Sequence, residues 1–207
     1  MIVDRAGYRA AVALLPDGPA ADLIRRWGQD ATRPHLERFG AQARQFAVRL
    51  AKPEVEVEIA DHDVSVERER FAQLWPAVVH AVRNAVDHGI EPSEQRVAAG
   101  KPEHGRIALR TCVRGDALIV EIEDDGAGIN WRGLTDHARA LGLASEGPEV
   151  VFALGVSTAI EVTEISGYGV GMGALRETCA ALGGRVELSS EPGRGTAVRC
   201  IVPLVGV

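Results

Sequence analysis

Four polar residues, His80, Asn84, Asp87 and His88, stand at i, i+4, i+7 and i+8 in the stretch His80-Ala-Val-Arg-Asn-Ala-Val-Asp-His-Gly89. At 3.6 residues per turn these offsets share one face of a helix. Val78, Val79, Val82, Ala85 and Val86 supply the opposite, core-packing face. A polar face on an otherwise apolar helix belongs at a cleft, and a neutral Asn carbonyl near histidines suits a hard cation that keeps several waters, as Mg²⁺ does when phosphates share it. The same spacing also fits a solvated helix face with two ordinary histidines, because polar faces are the norm on amphipathic helices.

Two glycine-bearing segments add to this. Asp124-Asp-Gly-Ala-Gly128 closes a run rich in β-branched and acidic residues, so its glycines can turn sharply and let a flat ring approach the backbone. A carboxylate there accepts from an exocyclic amine, which selects adenine over guanine. Asp-Gly is equally an ordinary tight turn. Gly167-Tyr-Gly-Val-Gly171 precedes a helical pattern and can aim free N–H groups at an anion, helped by the helix N-terminus. A lone Gly-x-Gly-x-Gly is weak evidence, and it lacks the third glycine of the dinucleotide fingerprint. The Lys-Ser/Thr phosphate loop is also absent, since Lys52 follows Ala and Lys101 precedes Pro102.

The elements that position these segments follow from periodicity. Residues 1–53 read as helical, broken at Pro16-Asp17-Gly18-Pro19 and at Pro34, with Leu36, Phe39, Phe46 and Leu50 forming an apolar face. That face must be buried against the rest of the chain or against another subunit. From Glu54 the period becomes two, as in a strand with one wet face. A long helix is expected from about Arg68 to His88, then a Gly/Pro/Ser-rich turn to Gly105. Strands at about Arg106–Val113 and Ala117–Glu123 flank the hairpin signal Arg114-Gly115-Asp116. Residues 130–168 contain a short helix near Leu134–Leu141 and otherwise lack a sustained apolar period, which marks them as a weakly packed lid. A helix over Val170–Leu182 and a hairpin of Arg185–Ser190 with Thr196–Pro203 complete the pattern. The sum is α+β, a two-layer α/β sandwich with a mixed sheet and helices on one face.

Composition excludes several classes. With 46% hydrophobic residues a real core is available, yet aromatics are only 4%, too few for the stacking platforms that hold single-stranded nucleic acid. Its 23 basic residues are spread among 29 acidic ones for a net charge of -6, so nucleic acid is not an expected partner. Cys112, Cys179 and Cys200 have spacings that fit neither a disulfide framework nor a metal knuckle, and a reducing compartment is expected. No stretch approaches the ~20 apolar residues of a membrane span. The chain therefore reads as cytoplasmic, without membrane insertion.

In order along the chain, these segments resemble the ATP-binding domain shared by histidine kinases, type II topoisomerases, Hsp90 and MutL, and in detail that of the chemotaxis-type histidine kinases. His80-x-x-Arg83-Asn84-x-x-Asp87-His88-Gly89-Ile90-Glu91 is similar to their Asn-bearing box, and Asp124 to Gly128 to their first glycine box. Phe152-x-x-Gly155-x-Ser157-Thr158 resembles their lid segment, Ser166-Gly167-x-Gly169-Val170-Gly171-Met172 their second glycine box, and Gly193-x-Gly195-Thr196 their last. The match spans about residues 54–205 and implies the Bergerat-type sandwich. It further implies that Asn84 coordinates Mg²⁺, that Asp124 holds the adenine of ATP, and that Gly126, Gly128 and Thr196 line the adenine pocket. By the same resemblance Gly167, Gly169 and Gly171, with Met172, Ser157 and Thr158, would enclose the phosphates. His80 would be the acid/base or orienting residue, while Arg83, Asp87 and His88 would complete the nucleotide site.

The resemblance implies two units, a helical extension or dimerisation remnant over 1–53 and the ATP-binding catalytic domain over 54–207, with a homodimer through the N-terminal helices. It also implies a phosphoacceptor histidine, which is not apparent here. His80 and His88 belong to the site, His62, His104 and His137 fall in loops or the lid, and His35 reads as an ordinary surface histidine. The expected partner is therefore a histidine phosphotransfer domain elsewhere, with a response regulator downstream. Tyr168 and Gly173 stand where the family usually has Arg and Asp, which favours as an alternative a weakly active, nucleotide-sensing module.

Overall fold

The computed structural model describes residues 27–140, 147–152 and 170–205, together with 14–16, 18, 19, 24 and 142. Where the N-terminal pattern reads as helix, Gln29–Ala31 is instead a strand, β1, paired antiparallel with β3 (Ser65–Glu67). Helix α1 (Arg33–Arg49) follows at once. Pro34 starts this helix: in the first turn its missing N–H has no helical partner to lose. Leu36, Phe39, Ala43 and Ala47 are buried at helical spacing. Gly40 lets the helix lie close on β2 (Val55–Ala60), because a Cβ there would come 3.1 Å from the Val57 side chain. His35 is no surface histidine; it is buried, its ring stacks on Trp75 with centroids 4.2 Å apart, and Nε2 lies 2.7 Å from the Asp30 carboxylate.

The expected long helix is divided into α2 (Arg68–Phe71), α3 (Leu74–Asn84) and a π turn over Ala85–Gly89. Pro76 explains the first break. A helix running through it would leave the Ala72 carbonyl without a donor and press the ring against it, so α3 starts afresh at Leu74 with the proline in its first turn. The π turn ends with Ile90 N donating to Ala85 O at 3.0 Å. A second helix, α4 (Ser93–Ala98), occupies the stretch expected to be only a turn. Its signals were present in Pro92-Ser93-Glu94 before it and Gly100, at φ 74°, after it.

The main sheet has the order β2-β4-β5-β7-β6, with β4 Gly105–Arg114, β5 Ala117–Asp124, β6 Arg185–Glu191 and β7 Gly195–Pro203. Only the β2–β4 pair is parallel, so the sheet is mixed as expected. Leu118, Val120 and Ile122 of β5 and Val198, Cys200 and Val202 of β7 point to one face, where they pack with α1, α3 and α7 (Val170–Ala181). The opposite face is held by charge. Arg110, Glu121 and Arg199 face one another across β4, β5 and β7, with Arg110 bonding Glu121 at 2.7 Å and Glu121 also pairing with Arg199. This division of faces is the two-layer sandwich.

Part of the expected lid is packed. Helices α5 (Trp131–Ala140) and α6 (Glu149–Phe152) build a small separate core from Leu134, Ala138 and Val150. Arg176 of α7 lies over the Phe152 ring at 5.1 Å and bonds Glu149 at 2.8 Å, which ties α6 to α7. The rest of that segment, residues 141, 143–146 and 153–168, lies outside the described residues.

Candidate functional site

Helix α3 and its π turn carry the first group of side chains. Val78, Val82, Ala85 and Val86 are buried against the core, Val79 is half-buried, and His80 is exposed, so the expected two-faced helix forms. Beyond Asn84 the π turn adds a residue to the turn, so Asp87 and His88 do not continue the 3.6-residue face read from the sequence. The half-buried Asn84 makes no side-chain hydrogen bond among the described residues. Arg83 holds Nη2 buried and without a partner, an orphan cationic donor of the kind that an anionic group satisfies.

Lys52, Arg83 and Asp87 act on the histidines at this helix end. Burial lowers the His80 pKa, and the nearby Arg83 charge lowers it further. His88 is also held low, first by burial, then by Lys52 and Arg83 acting against the opposite pull of Asp87. Although its side chain is exposed in area, protein surrounds most of it, and the neutral ring is favoured. Lys52 was not singled out in the sequence. It reaches across from the end of α1 to donate to Ile90 O at 2.8 Å, a long-range contact that no local pattern announces.

Asp124 ends the inward-facing series Leu118, Val120, Ile122, which places its carboxylate under the helices at only 5% exposure. Burial pushes its pKa up to about 7, with the Gly126 and Thr196 N–H groups pulling it down and the charges of Asp125 and Glu91 pushing it up. Oδ1 accepts from Gly126 N at 3.0 Å. Thr196 stands directly opposite in register on β7, its hydroxyl 2.9 Å from that of Ser190. The strand end thus presents one buried carboxyl group beside a hydroxyl.

Glycines make this approach feasible. A Cβ on Gly89 would lie 2.8 Å from the Asp124 carboxylate, and one on Gly126 would lie 2.0 Å from Gly89 O. Gly195 (φ 114°) and Gly128 (φ 70°) come as close to the carbonyls of Asp124 and Glu191. Gly126 and Gly128 are expected to shape the pocket, and Gly89 and Gly195, which the sequence gives only as members of the boxes, make equally close approaches. The π turn therefore sits directly on the strand end that carries Asp124. Ala127 N donating to Gly89 O at 2.9 Å secures it there.

The N-terminus of α7 completes the arrangement. A Cβ on Gly171 would lie 2.9 Å from His80 Nδ1, so α7 begins against the polar side of α3. Met172, expected to contact a bound group, is 5% exposed and packs into the main core, where it seats α7 instead. Gly173 lies within α7. Ser157, Thr158, Gly167, Tyr168 and Gly169 lie outside the described residues. Among the described residues no three His, Cys, Asp or Glu side chains come together as a metal site.

This geometry agrees with what comparison with known proteins finds. Residues 72–206 match the family described as histidine kinase-, DNA gyrase B-, and HSP90-like ATPase. The chain is 36% identical over 176 residues to chemotaxis protein CheA of Klebsiella aerogenes, covering 82% of this chain and 27% of that protein. To CheA of Bacillus subtilis it is 34% identical over 179 residues, covering 82% and 26%. To a gliding motility regulatory protein of Myxococcus xanthus it is 39% identical over 165 residues, covering 75% and 21%. The chain thus spans about a quarter of the length of these relatives. In fold it is similar to the mycobacterial sensor histidine kinase MprB, with a TM-score of 0.53, 17% identity and coverage of 86% of this chain and 99% of that one. The histidine kinase domain of a blue-light activated kinase from Erythrobacter litoralis gives 0.51 at 20% identity, covering 82% and 61%. With the glycine-cradled carboxylate, the Asn-bearing helix and the mixed sheet in the same order along the chain, this protein belongs to the histidine kinase-, DNA gyrase B- and HSP90-like ATPase family, whose members bind ATP.

Proposed function

We propose that the chain is the ATP-binding catalytic module of a chemotaxis-type protein-histidine kinase, transferring the γ-phosphoryl of ATP to a histidine on a separate phosphotransfer domain. The observation that carries this is the buried Asp124 carboxylate, held between Gly89, Gly126 and Thr196 at the end of β5. It accepts the adenine amino group, with Gly126, Gly128 and Thr196 around the ring. The Arg83 Nη2, unpartnered among the described residues, fits the triphosphate. His88, Asp87 and Gly171 belong to the same nucleotide site, and the family resemblance assigns Gly167, Gly169, Ser157 and Thr158 to it as well. His80, against the start of α7, orients or exchanges a proton with the reacting group.

The residues present fit Mg²⁺ shared with the nucleotide. Asn84 offers an uncommitted neutral oxygen, and no self-sufficient cluster of metal ligands exists among the described residues, so the phosphates supply the remaining ligands. Bound there, Mg²⁺ neutralises charge on the phosphates, which is most of what phosphoryl transfer requires besides positioning. The phosphate passes from the acceptor histidine to a response regulator. The module works in the cytoplasm: no helix among the described residues is long and apolar enough to cross a membrane, and the buried free thiols of Cys179 and Cys200 suit a reducing compartment. A homodimer through the N-terminal helices belongs to the same reading.

Calorimetry with ATP tests it. Asp124→Ala should stay folded and lose adenine nucleotide binding; unchanged ATP affinity in the folded variant would refute the adenine assignment.

A further inference from the structure

The stretch between the π turn and β4 holds the most deeply buried charge among the described residues. The Arg96 side chain is 0% exposed. Its Nε donates to Pro102 O at 2.9 Å, Nη1 to Glu91 Oε2 at 2.9 Å and Nη2 to Asp125 Oδ2 at 2.8 Å. Lys101 lies alongside and donates through Nζ to Glu91 Oε1 at 2.7 Å, Asp125 O at 2.8 Å and Gly126 O at 2.7 Å. The other Asp125 oxygen accepts from Arg106 N at 2.9 Å.

These contacts converge on the peptides next to Asp124. Lys101 grips the carbonyls of Asp125 and Gly126, the N–H of Gly126 in turn holds Asp124 Oδ1, and Glu91 joins both cations two residues beyond Gly89. Burying a guanidinium between carboxylates contributes little net stability, because desolvation offsets the attraction, whereas it does impose a unique geometry. The Arg106–Glu58 side-chain pair on the sheet, by contrast, is largely exposed. Arg96 is fully buried, Glu91, Lys101 and Asp125 are partly buried, and together they fasten the residues just after the strand end to those just after the π turn.

We propose that Arg96 and Lys101 are positioning residues that determine base selectivity. By fixing the Asp125 and Gly126 peptides against Glu91, they aim the Asp124 carboxylate at the position of an amino group on the purine, and the preference for an amino-bearing over a keto-bearing base depends on them. This rests on the adenine role proposed for Asp124. A clamp of this kind acts on the base end of a nucleotide and leaves the phosphate end unaffected.

The test measures the affinities of ATP, GTP and inorganic tripolyphosphate by calorimetry for the full chain and for Lys101→Met, Glu91→Gln, Arg96→Met and Asp124→Ala. For Lys101→Met the ATP-over-GTP preference should fall roughly tenfold, the worth of a charge-assisted hydrogen bond, with tripolyphosphate affinity unchanged. Glu91→Gln, which keeps the shape of its side chain, should move in the same direction by less. If Arg96→Met fails to fold, Lys101→Met decides the question. Lys101→Met added to Asp124→Ala should change the preference no further, since the clamp acts only through that carboxylate. A folded Lys101→Met that keeps the wild-type preference, or weakens all three ligands equally, overturns the clamp. An Asp124→Ala variant that keeps the preference overturns instead the adenine reading beneath it.

Discussion

Asp124 sits at the meeting point of burial and recognition, and its chemistry sets a pH dependence. Its pKa of about 7 comes chiefly from burial. An amine donor on the base favours the ionised form, so nucleotide binding below pH 7 must expel a proton, and ATP affinity should fall roughly fivefold between pH 7 and pH 6, approaching tenfold per unit below that. Asp124→Asn, whose carbonyl still accepts, should retain part of the affinity and lose that slope, as calorimetry across pH 6–8 would show. Without nucleotide the sign for folding is opposite to that of a paired carboxylate. Between the ordinary carboxyl range and pH 7 the folded state holds the proton that the unfolded state releases, so the stability associated with this group is full at acid pH and is lost as pH rises to 7. Asp124→Asn should accordingly melt higher than wild type at pH 8, with the difference vanishing near pH 4. Gly126→Ala should abolish ATP binding, because its methyl would lie 2.0 Å from Gly89 O. Residue type and spacing made Asp124, Asn84 and His80 legible in the sequence. The contact made by Lys52, and the close approaches of Gly89 and Gly195, were not, because each touches a segment far away in the chain, and no local pattern encodes such an approach.

Among the elements, periodicity identified β2, β4, β5, β6, β7 and α7 to within a few residues, since each alternates or repeats cleanly against one core. It failed where local chemistry overrode the period. Pro76 divides the expected long helix, the π turn reorients its last residues, and α4 is too short to display an apolar face. Strand β1 has no apolar alternation and exists because β3 supplies its hydrogen bonds. Helix α1 is packed into the same core as α3 and β2, with Leu36 and Phe39 buried. Leu36→Ala should therefore cost about 3 kcal/mol in urea unfolding while keeping a single transition shared with the nucleotide site. An unchanged midpoint, or a separate transition for α1, would contradict that packing.

At the scale of the whole molecule, the histidines of α3 and α1 are both engaged by the fold. His80 lies against the start of α7, and His35, the histidine at the start of α1, is stacked on Trp75 and bonded to Asp30, so neither is free to swing into line with a bound triphosphate. The order of the glycine segments along the chain pointed to the fold. The acceptor proposed above is not identified by any local pattern of this chain. Transfer in trans is the central claim. The most direct measurement incubates the chain with Mg²⁺ and γ-labelled ATP, alone and with a separately expressed histidine phosphotransfer domain from the same organism. The predicted result is an acid-labile, base-stable label on that domain only, abolished by Asn84→Ala; a stable acid-labile label on the chain itself, lost in His35→Gln, would contradict it.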